Sequence, residues 1–409
     1  MNVLLQAPRH FCPITIKITG SKSETNRLLL LQALYPQIQL ENTSNSDDSQ
    51  FMIEALSTQQ SQIDIHHAGT AMRFLTAYFA TRAGRTVTIT GSSRMQERPI
   101  KILVDALRQL GAEISYEANM GFPPLKIKGK KITQNKIALP ADVSSQYISA
   151  LLLIAPQLQN GLTINLEGKI TSIPYIRMTL ALLNELGIKT TFNNQTITVK
   201  YTSKIKYQCA ITVESDWSSA SYFFAITALS APGTKICLSS YKPDSLQGDA
   251  ALSEIYKSFG VKTTFDNGTL ELLKTNHQPE ALQLSLHNTP DIAQTIAVTC
   301  FGLGLGCHLT GLHTLKIKET DRLTALQTEL SKLGATVAIS ENSLTLKPAV
   351  TILPNIRIAT YNDHRMAMAF APLAVKVPIV IEGSEVVSKS YPAFWSDLKK
   401  IGFQISEVL

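Results

Sequence analysis

Little in this sequence points away from a globular chain. It holds five cysteines, an odd number with no C-x-x-C pair. That argues against a disulfide framework and against a structural zinc site, and buried free thiols are the plain expectation. No apolar run reaches the roughly 18 residues that a membrane helix needs. The nearest, Ile292 to Leu309, is interrupted by Gln294, three glycines and His308. The start, Met1 to Pro13, has no basic stretch leading into a long apolar one, so no signal peptide is expected and a cytoplasmic location follows. No dense basic run occurs, which argues against a nucleic-acid binder. Glycine (21) and proline (18) are too scarce for a low-complexity polymer. The 44% apolar and 17% charged residues exclude a disordered chain.

What is present is a chain of 409 residues with a net charge of +7. At about 150 residues per domain, two or three domains are expected. The excess is modest, so where the basic residues lie matters more than their sum.

The chain repeats itself. A polar loop leads into an apolar helix six times, starting near Gly20, Ala68, Ser144, Ser218, Pro290 and Asn362. The last five starts are about 72 to 76 residues apart. After each comes an amphipathic helix that mostly ends in Gly and then a strand, as in Leu103–Glu117, Leu180–Asn193, Leu252–Phe265, Leu323–Ile339 and Phe394–Val408. Phe51–Ile65 is a weaker copy without the Gly. Apolar residues at i, i+3, i+4 and i+7 make one buried stripe, and Gly past the last turn supplies a left-handed cap. Six units could stack as a solenoid or close as two groups of three. A solenoid needs polar end units, and the last unit here is as apolar as the middle ones, so two globular α/β domains are expected.

The loops ahead of the apolar helices carry the chemistry. A helix N-terminus offers unpaired N–H groups and a positive dipole end, a ready site for anions. Lys22, Ser23 and Arg27 converge at the first, although Ser23 could be a plain N-cap. Gly69 in His67–Arg73 would let a ligand approach backbone, or is simply a turn residue. Arg94 and Arg98 precede the next helix and suit carboxylate or phosphate; a solvated turn is the alternative. Ser144, Ser145 and Gln146 open another helix, and Ser172 and Tyr175 lie in the turn before the next. Asp291 stands alone at the start of an apolar helix, as an N-cap or as more. Lys316–Arg322 is the densest charged cluster, followed by Asp363–His364–Arg365 and Lys389. Lys22, Arg27, Arg98, Lys318, Arg322, Arg365 and Lys389 together suit substrates carrying several negative charges.

In their order along the chain these motifs resemble those of the EPSP synthases, the 3-phosphoshikimate 1-carboxyvinyltransferases of the enolpyruvyl transferase family. The matching set is Gly20–Ser23 with Asn26-Arg27, Ala68–Arg73, Glu97–Ile100, Ser144–Gln146, Pro174–Ile176, Pro290-Asp291, Lys318–Arg322, Asn362–Met368 and Lys389. The resemblance implies two inside-out α/β domains, each three repeats of a β-α-β-α-β-β unit, with the active site in the cleft between them. The first domain would be discontinuous, residues 1–19 plus 214–409, and the second would span 20–213. It also implies transfer of the enolpyruvyl group of phosphoenolpyruvate to the 5-hydroxyl of shikimate 3-phosphate by a monomer, with no metal or cofactor.

By the same resemblance Lys22, Gly69, Arg98, Gln146, Arg322, Arg365 and Lys389 would bind phosphoenolpyruvate. Lys22, Ser23, Arg27, Ser144, Ser145, Gln146, Ser172, Tyr175, Asp291, Thr314 and Lys318 would bind shikimate 3-phosphate. Asp291 would be the general base, and Lys22 or Glu319 would protonate the methylene carbon. Lys22 among other cations is expected to have a lowered pKa. Three positions depart from the family pattern: His67 for Asn, Phe74 for Pro, and Thr314 where some members have Asn. Gly69 keeps the form that leaves room for glyphosate, so a glyphosate-sensitive enzyme is expected, with Phe74 a possible modifier. The sister enzyme acting on UDP-N-acetylglucosamine commonly uses a Cys-bearing lid, and no Cys lies between Cys12 and Cys209. A non-catalytic basic scaffold would explain the repeats and charge but not Asp291, Glu319 and Lys22 among the cations.

Overall fold

The computed structural model describes residues 1–141, 144–168, 170, 173–205 and 209–408. The chain separates into two compact units, Met1–Thr19 with Glu214–Leu409, and Gly20–Val213. Each has its own apolar core.

Among the described residues, five four-stranded sheets share one plan. In the sheet of Gln62–Asp64, Thr86–Thr90, Leu125–Lys128 and Glu113–Tyr116, the first two strands run parallel, with Ile63 opposite Ile89. The third is antiparallel to the second and forms a hairpin with the fourth. Parallel neighbours need a crossover, and the helix Gly69–Ala80 supplies it. The amphipathic helix Lys101–Gln109 then leads into the hairpin. The same spatial order recurs in the sheets beginning with Lys136–Pro140, Thr15–Ile16, Leu282–Ser285 and Arg357–Ile358. In the last, the third place is taken by the N-terminal strand Asn2–Gln6. It runs antiparallel to both neighbours, Val3 opposite Ile381 and Asn2 opposite Val408. A sixth sheet pairs Cys209–Thr212 with Ile38–Glu41 in parallel.

The helices lie inside and the sheets outside, because of what the sequence places on each. Gly69–Ala80, Ser145–Ile154, Trp217–Leu229 and Ala293–Gly302 are apolar on nearly every face, and a helix of that kind has to be surrounded by protein. The strands alternate buried and exposed residues, as Lys136–Pro140 does, so one face meets the helices and the other water. The amphipathic helices end as their glycines require: Gly111, Gly187, Gly260, Gly334 and Gly402 all have positive φ, between 74° and 110°. Two buried helices tighten into 3-10 turns at Ala155–Gln157 and Ala371–Val375, where Pro156 and Pro372 cannot donate to the preceding turn. The Leu252 copy is less regular than its sequence suggests. It has one α turn, Leu252–Ile255, between the 3-10 stretches Gly248–Ala251 and Tyr256–Phe259.

No helix among the described residues is long and apolar enough to cross a membrane.

Candidate active site

In the unit Gly20–Val213, the helix Lys22–Leu34 has Ser21 at its N-cap. Ser23 therefore lies inside the helix, which removes the plain-cap reading of that residue. Lys22 Nζ stands 3.6 Å from Asp48 Oδ2, and the other oxygen of Asp48 is 3.7 Å from His67 Nε2. Lys22 thus pairs with a carboxylate that the sequence reading did not include. The acidic partner comes from the next helix, Asp47–Ser57.

Arg27 is 2% exposed. Its Nε donates to Thr179 Oγ1 at 2.8 Å, Nη1 to the Ser23 carbonyl at 2.7 Å and Nη2 to Ser149 Oγ at 2.9 Å. The rings of Phe74 and Tyr175 lie 5.4 and 5.9 Å from its Cζ. Burial pulls its pKa down to about 10, with Tyr175 and Glu24 opposing, so it remains a cation at neutral pH. A guanidinium held this way fixes the backbone of Ser23 as much as it offers charge, and it also reaches the carbonyl of Tyr175, which lies inside the helix Ile173–Glu185 and not in a turn before it.

Gly69 opens its helix beside Arg98. A Cβ there would fall 2.5 Å from Arg98 Nη1, so the bare backbone is what lets the guanidinium lie flat against it. Arg73 ties the two loops together, donating from Nη1 to the Gly69 carbonyl and from Nη2 to the Pro99 carbonyl, both at 3.1 Å. Tyr147 adds a 2.6 Å bond to the same Pro99 carbonyl. Gln146 Nε2 donates to Thr70 Oγ1 at 3.1 Å, which brings the third helix start to the second. Ser144 caps its helix by accepting from the Gln146 N–H, and Ser145 is buried beside it. Arg94 is the exception: it is exposed and pairs with Glu97 at 3.0 Å. Ser172 lies outside the described residues.

The other unit holds a dense charge cluster. Asp291 is no helix cap: it sits in the 3-10 turn Pro290–Ile292, whose N-cap is Thr289. Its Oδ1 lies 3.0 Å from Arg322 Nη1 and 3.4 Å from Lys318 Nζ, and its Oδ2 lies 3.6 Å from Arg365 Nη2. Arg322 is buried against two more carboxylates, with Nε to Asp363 Oδ2 at 2.6 Å and Nη2 to Glu319 Oε2 at 2.7 Å. Arg365 donates to the Asp291 carbonyl at 2.9 Å and to Ser218 Oγ at 3.2 Å. Lys389 Nζ donates at 2.6 Å to the carbonyl of Asn362, whose φ is +55°. Thr314 Oγ1 is buried with no hydrogen-bond partner among the described groups. Lys316, by contrast, pairs outward with the exposed Glu341.

Burial alone would raise Asp291. Lys318, Arg365 and Arg322 outweigh it and hold the carboxyl well below the usual range. Burial alone would lower Arg322, and Asp363, Glu319 and Asp291 lift it instead. By formal charge the cluster sets three carboxylates, Asp291, Glu319 and Asp363, against three cations, Lys318, Arg322 and Arg365. Lys318 and Arg365, less buried than Arg322, can turn toward an incoming phosphate or carboxylate.

Sequence reasoning passed over Asp48, Thr70, Arg73 and Asp249. Thr70 and Arg73 stand within a motif that drew notice, and their closeness to Gly69 was the available signal. Asp48 and Asp249 meet their partners only through the fold.

Three comparisons bear on this arrangement. A profile of the family described as EPSP synthase (3-phosphoshikimate 1-carboxyvinyltransferase) matches residues 57–398. A 3-phosphoshikimate 1-carboxyvinyltransferase of Bacteroides fragilis is 46% identical over 411 residues, covering 99% of both chains. One of Pseudoalteromonas atlantica is 35% identical over 416 residues, covering 95% of this chain and 96% of that one. In fold the chain is similar to an EPSP synthase of Acinetobacter baumannii, with a TM-score of 0.80 at 19% identity over 99% of this chain and all of that one. It is also similar to the enolpyruvyl transferase NikO of Streptomyces tendae, with a TM-score of 0.77 at 12% identity over 99% and 98% of the two chains.

Proposed function

The chain belongs to the EPSP synthase family, the 3-phosphoshikimate 1-carboxyvinyltransferases, and from that premise we propose how its side chains divide the work. The enzyme transfers the enolpyruvyl group of phosphoenolpyruvate to the 5-hydroxyl of shikimate 3-phosphate, releasing phosphate, in the shikimate pathway. Two multiply charged anions have to be held together while two protons move. Fixed cations offset the repulsion and set the reacting geometry.

In this reading Lys22, Gly69, Arg98, Gln146, Arg322, Arg365 and Lys389 take phosphoenolpyruvate. Lys22, Ser23, Arg27, Ser144, Ser145, Gln146, Ser172, Tyr175, Asp291, Thr314 and Lys318 take shikimate 3-phosphate. Asp291 accepts the proton of the attacking hydroxyl, and Lys22 or Glu319 protonates the methylene carbon. The hydroxyl oxygen bonds to C2 and gives a tetrahedral intermediate; loss of a methyl proton and of phosphate then restores the double bond. The observation that supports Asp291 most is its ring of three cations. A carboxylate held that low is a weak base. Anionic substrates that draw off Lys318 and Arg365 would raise its proton affinity at the moment it is needed. The same reading has the enzyme working as a monomer in the cytoplasm.

The test is phosphate release from phosphoenolpyruvate with shikimate 3-phosphate or with UDP-N-acetylglucosamine. Release only with the former, lost in Asp291→Ala and Lys22→Ala, supports the assignment. Undiminished release by both variants would remove those two residues from the chemistry.

A further inference from the structure

Asp249 belongs to none of the residue sets above, yet it is joined to them. It is 3% exposed and lies on the short 3-10 stretch Gly248–Ala251. Its Oδ2 accepts a hydrogen bond from Ser218 Oγ. Its Oδ1 has no hydrogen-bond partner among the described groups. Ser218 Oγ in turn accepts from Arg365 Nη2 at 3.2 Å, and the other terminal nitrogen of Arg365 holds the Asp291 carbonyl at 2.9 Å. A hydroxyl has one proton. While that proton is committed to Asp249, the serine lone pairs are turned toward the guanidinium. Ser218 is also the one residue of the helix Trp217–Leu229 that is not buried.

We propose that Asp249 is a positioning residue. Through Ser218 it fixes the orientation of the Arg365 guanidinium, and so sets how that arginine meets the phosphoenolpyruvate anion. The proposal rests on the assignment of Arg365 to phosphoenolpyruvate given above.

The charge on Asp249 decides the polarity of the relay. Ionised, Asp249 can only accept, and the relay runs in one direction. Protonated, it can donate to Ser218 instead, and the serine proton is no longer held away from Arg365. Burial, with Asp291 adding to it, pushes this carboxyl up to about 6, while Arg365 and the Ser218 hydroxyl oppose and Asp216 adds a smaller push. Ser218, Asp291, Arg365 and Asp216 are the groups that act on it. The relay therefore changes character within the range in which an enzyme can be assayed.

The experiment is steady-state phosphate release from pH 5 to 9 with wild type, Asp249→Asn, Ser218→Ala, the double variant and Arg365→Lys. Substrate phosphates titrate near pH 6 themselves, so the readout is the ratio of wild type to variant. For kcat/KM on phosphoenolpyruvate, Asp249→Asn should be about five- to tenfold down at pH 8, the loss of one oriented charged contact. The ratio should fall toward one at pH 5, where wild-type Asp249 is itself neutral. Ser218→Ala should reproduce the loss at pH 8, and the double variant should be no worse than either single one. A ratio that does not change with pH, or additive losses, would overturn the proposal. So would a Ser218→Ala enzyme with unchanged KM, a result that stands even if Asp249→Asn does not fold. An Arg365→Lys enzyme with normal KM for phosphoenolpyruvate would instead overturn the assignment of Arg365.

Discussion

The guanidinium of Arg98 lies against the α-carbon of Gly69, so closely that a methyl group there would stand 2.5 Å from Nη1 and 2.8 Å from Nη2. The crowded atoms belong to the far end of a flexible side chain, so the cost of adding the methyl falls on the position of Arg98 and not on the core. Gly69→Ala should therefore fold normally and raise KM for phosphoenolpyruvate by about tenfold, the weight of one lost charged contact. The measurement is a KM series beside a thermal melt that stays near the wild-type midpoint.

The same position bears on glyphosate. The unsubstituted enzyme should be inhibited competitively with phosphoenolpyruvate, and Gly69→Ala should lose more affinity for the longer inhibitor than for the substrate. Initial rates over a grid of both concentrations distinguish this from an uncompetitive pattern, or from no inhibition at millimolar-order glyphosate, either of which would count against the site reading.

Asp291→Asn keeps the shape of the side chain and removes its ability to take a proton. A loss of about 10²- to 10⁴-fold in kcat is expected, the usual range for a general base. The KM for shikimate 3-phosphate should move much less, because Lys318 and Arg365 remain and are released from their carboxylate. Single-turnover phosphate release would separate the two effects.

Arg27 should behave as a structural cation as well as a binding one. Its three nitrogens reach Thr179, Ser149 and the Ser23 carbonyl, and Lys cannot reproduce that fork. Arg27→Lys should lower stability by about 1–3 kcal/mol through the groups left unpaired, seen as a lower urea midpoint in the absence of any ligand. An unchanged midpoint would mean that its role is confined to substrate.

Asp249 gives stability a pH dependence opposite to that of a salt-bridged carboxylate. Its folded pKa of about 6 lies above the ordinary carboxylate value, so the folded protein binds the proton more tightly than the unfolded chain. Stability then falls as pH rises from about 4 to 6, and above 6 the full penalty of about 2–3 kcal/mol is in place. Asp249→Asn should be more stable than wild type at pH 8, with the difference shrinking toward pH 4. Melting curves at the two pH values test the sign. A residue kept at a cost in stability while it tunes Arg365 is a familiar compromise of active sites.

How much of this could be read from the sequence differs by feature. The stripes and their terminal glycines were legible because one helix carries the whole pattern, and Gly111 and Gly334 take the left-handed cap that their place implied. The helix starts were legible for the same reason, as with Gln146 and Lys22. Partners were not. Asp48 meets Lys22, and Asp249 meets Ser218, from separate elements, so no spacing within either element announces the contact. The irregular Leu252 copy was likewise hidden, since its apolar spacing resembles that of its continuous counterparts. Nor does the apolar strand Asn2–Gln6 say which sheet it will join.

That strand constrains the order in which the protein can be made. Asn2–Gln6 leaves the ribosome well before Gly20–Val213, but both of its neighbours, Ile379–Ile381 and Gln404–Val408, leave it well after. The stretch Gly20–Val213 contains all of its own unit and can close while the remainder is still being translated. At about 5–20 residues per second, this strand waits roughly 10 to 40 seconds longer, with an apolar face and two unpaired edges, before its two partner strands arrive to shelter it. Nascent chains stalled short of residue 379 should therefore hold one finished body and one dependent on chaperones.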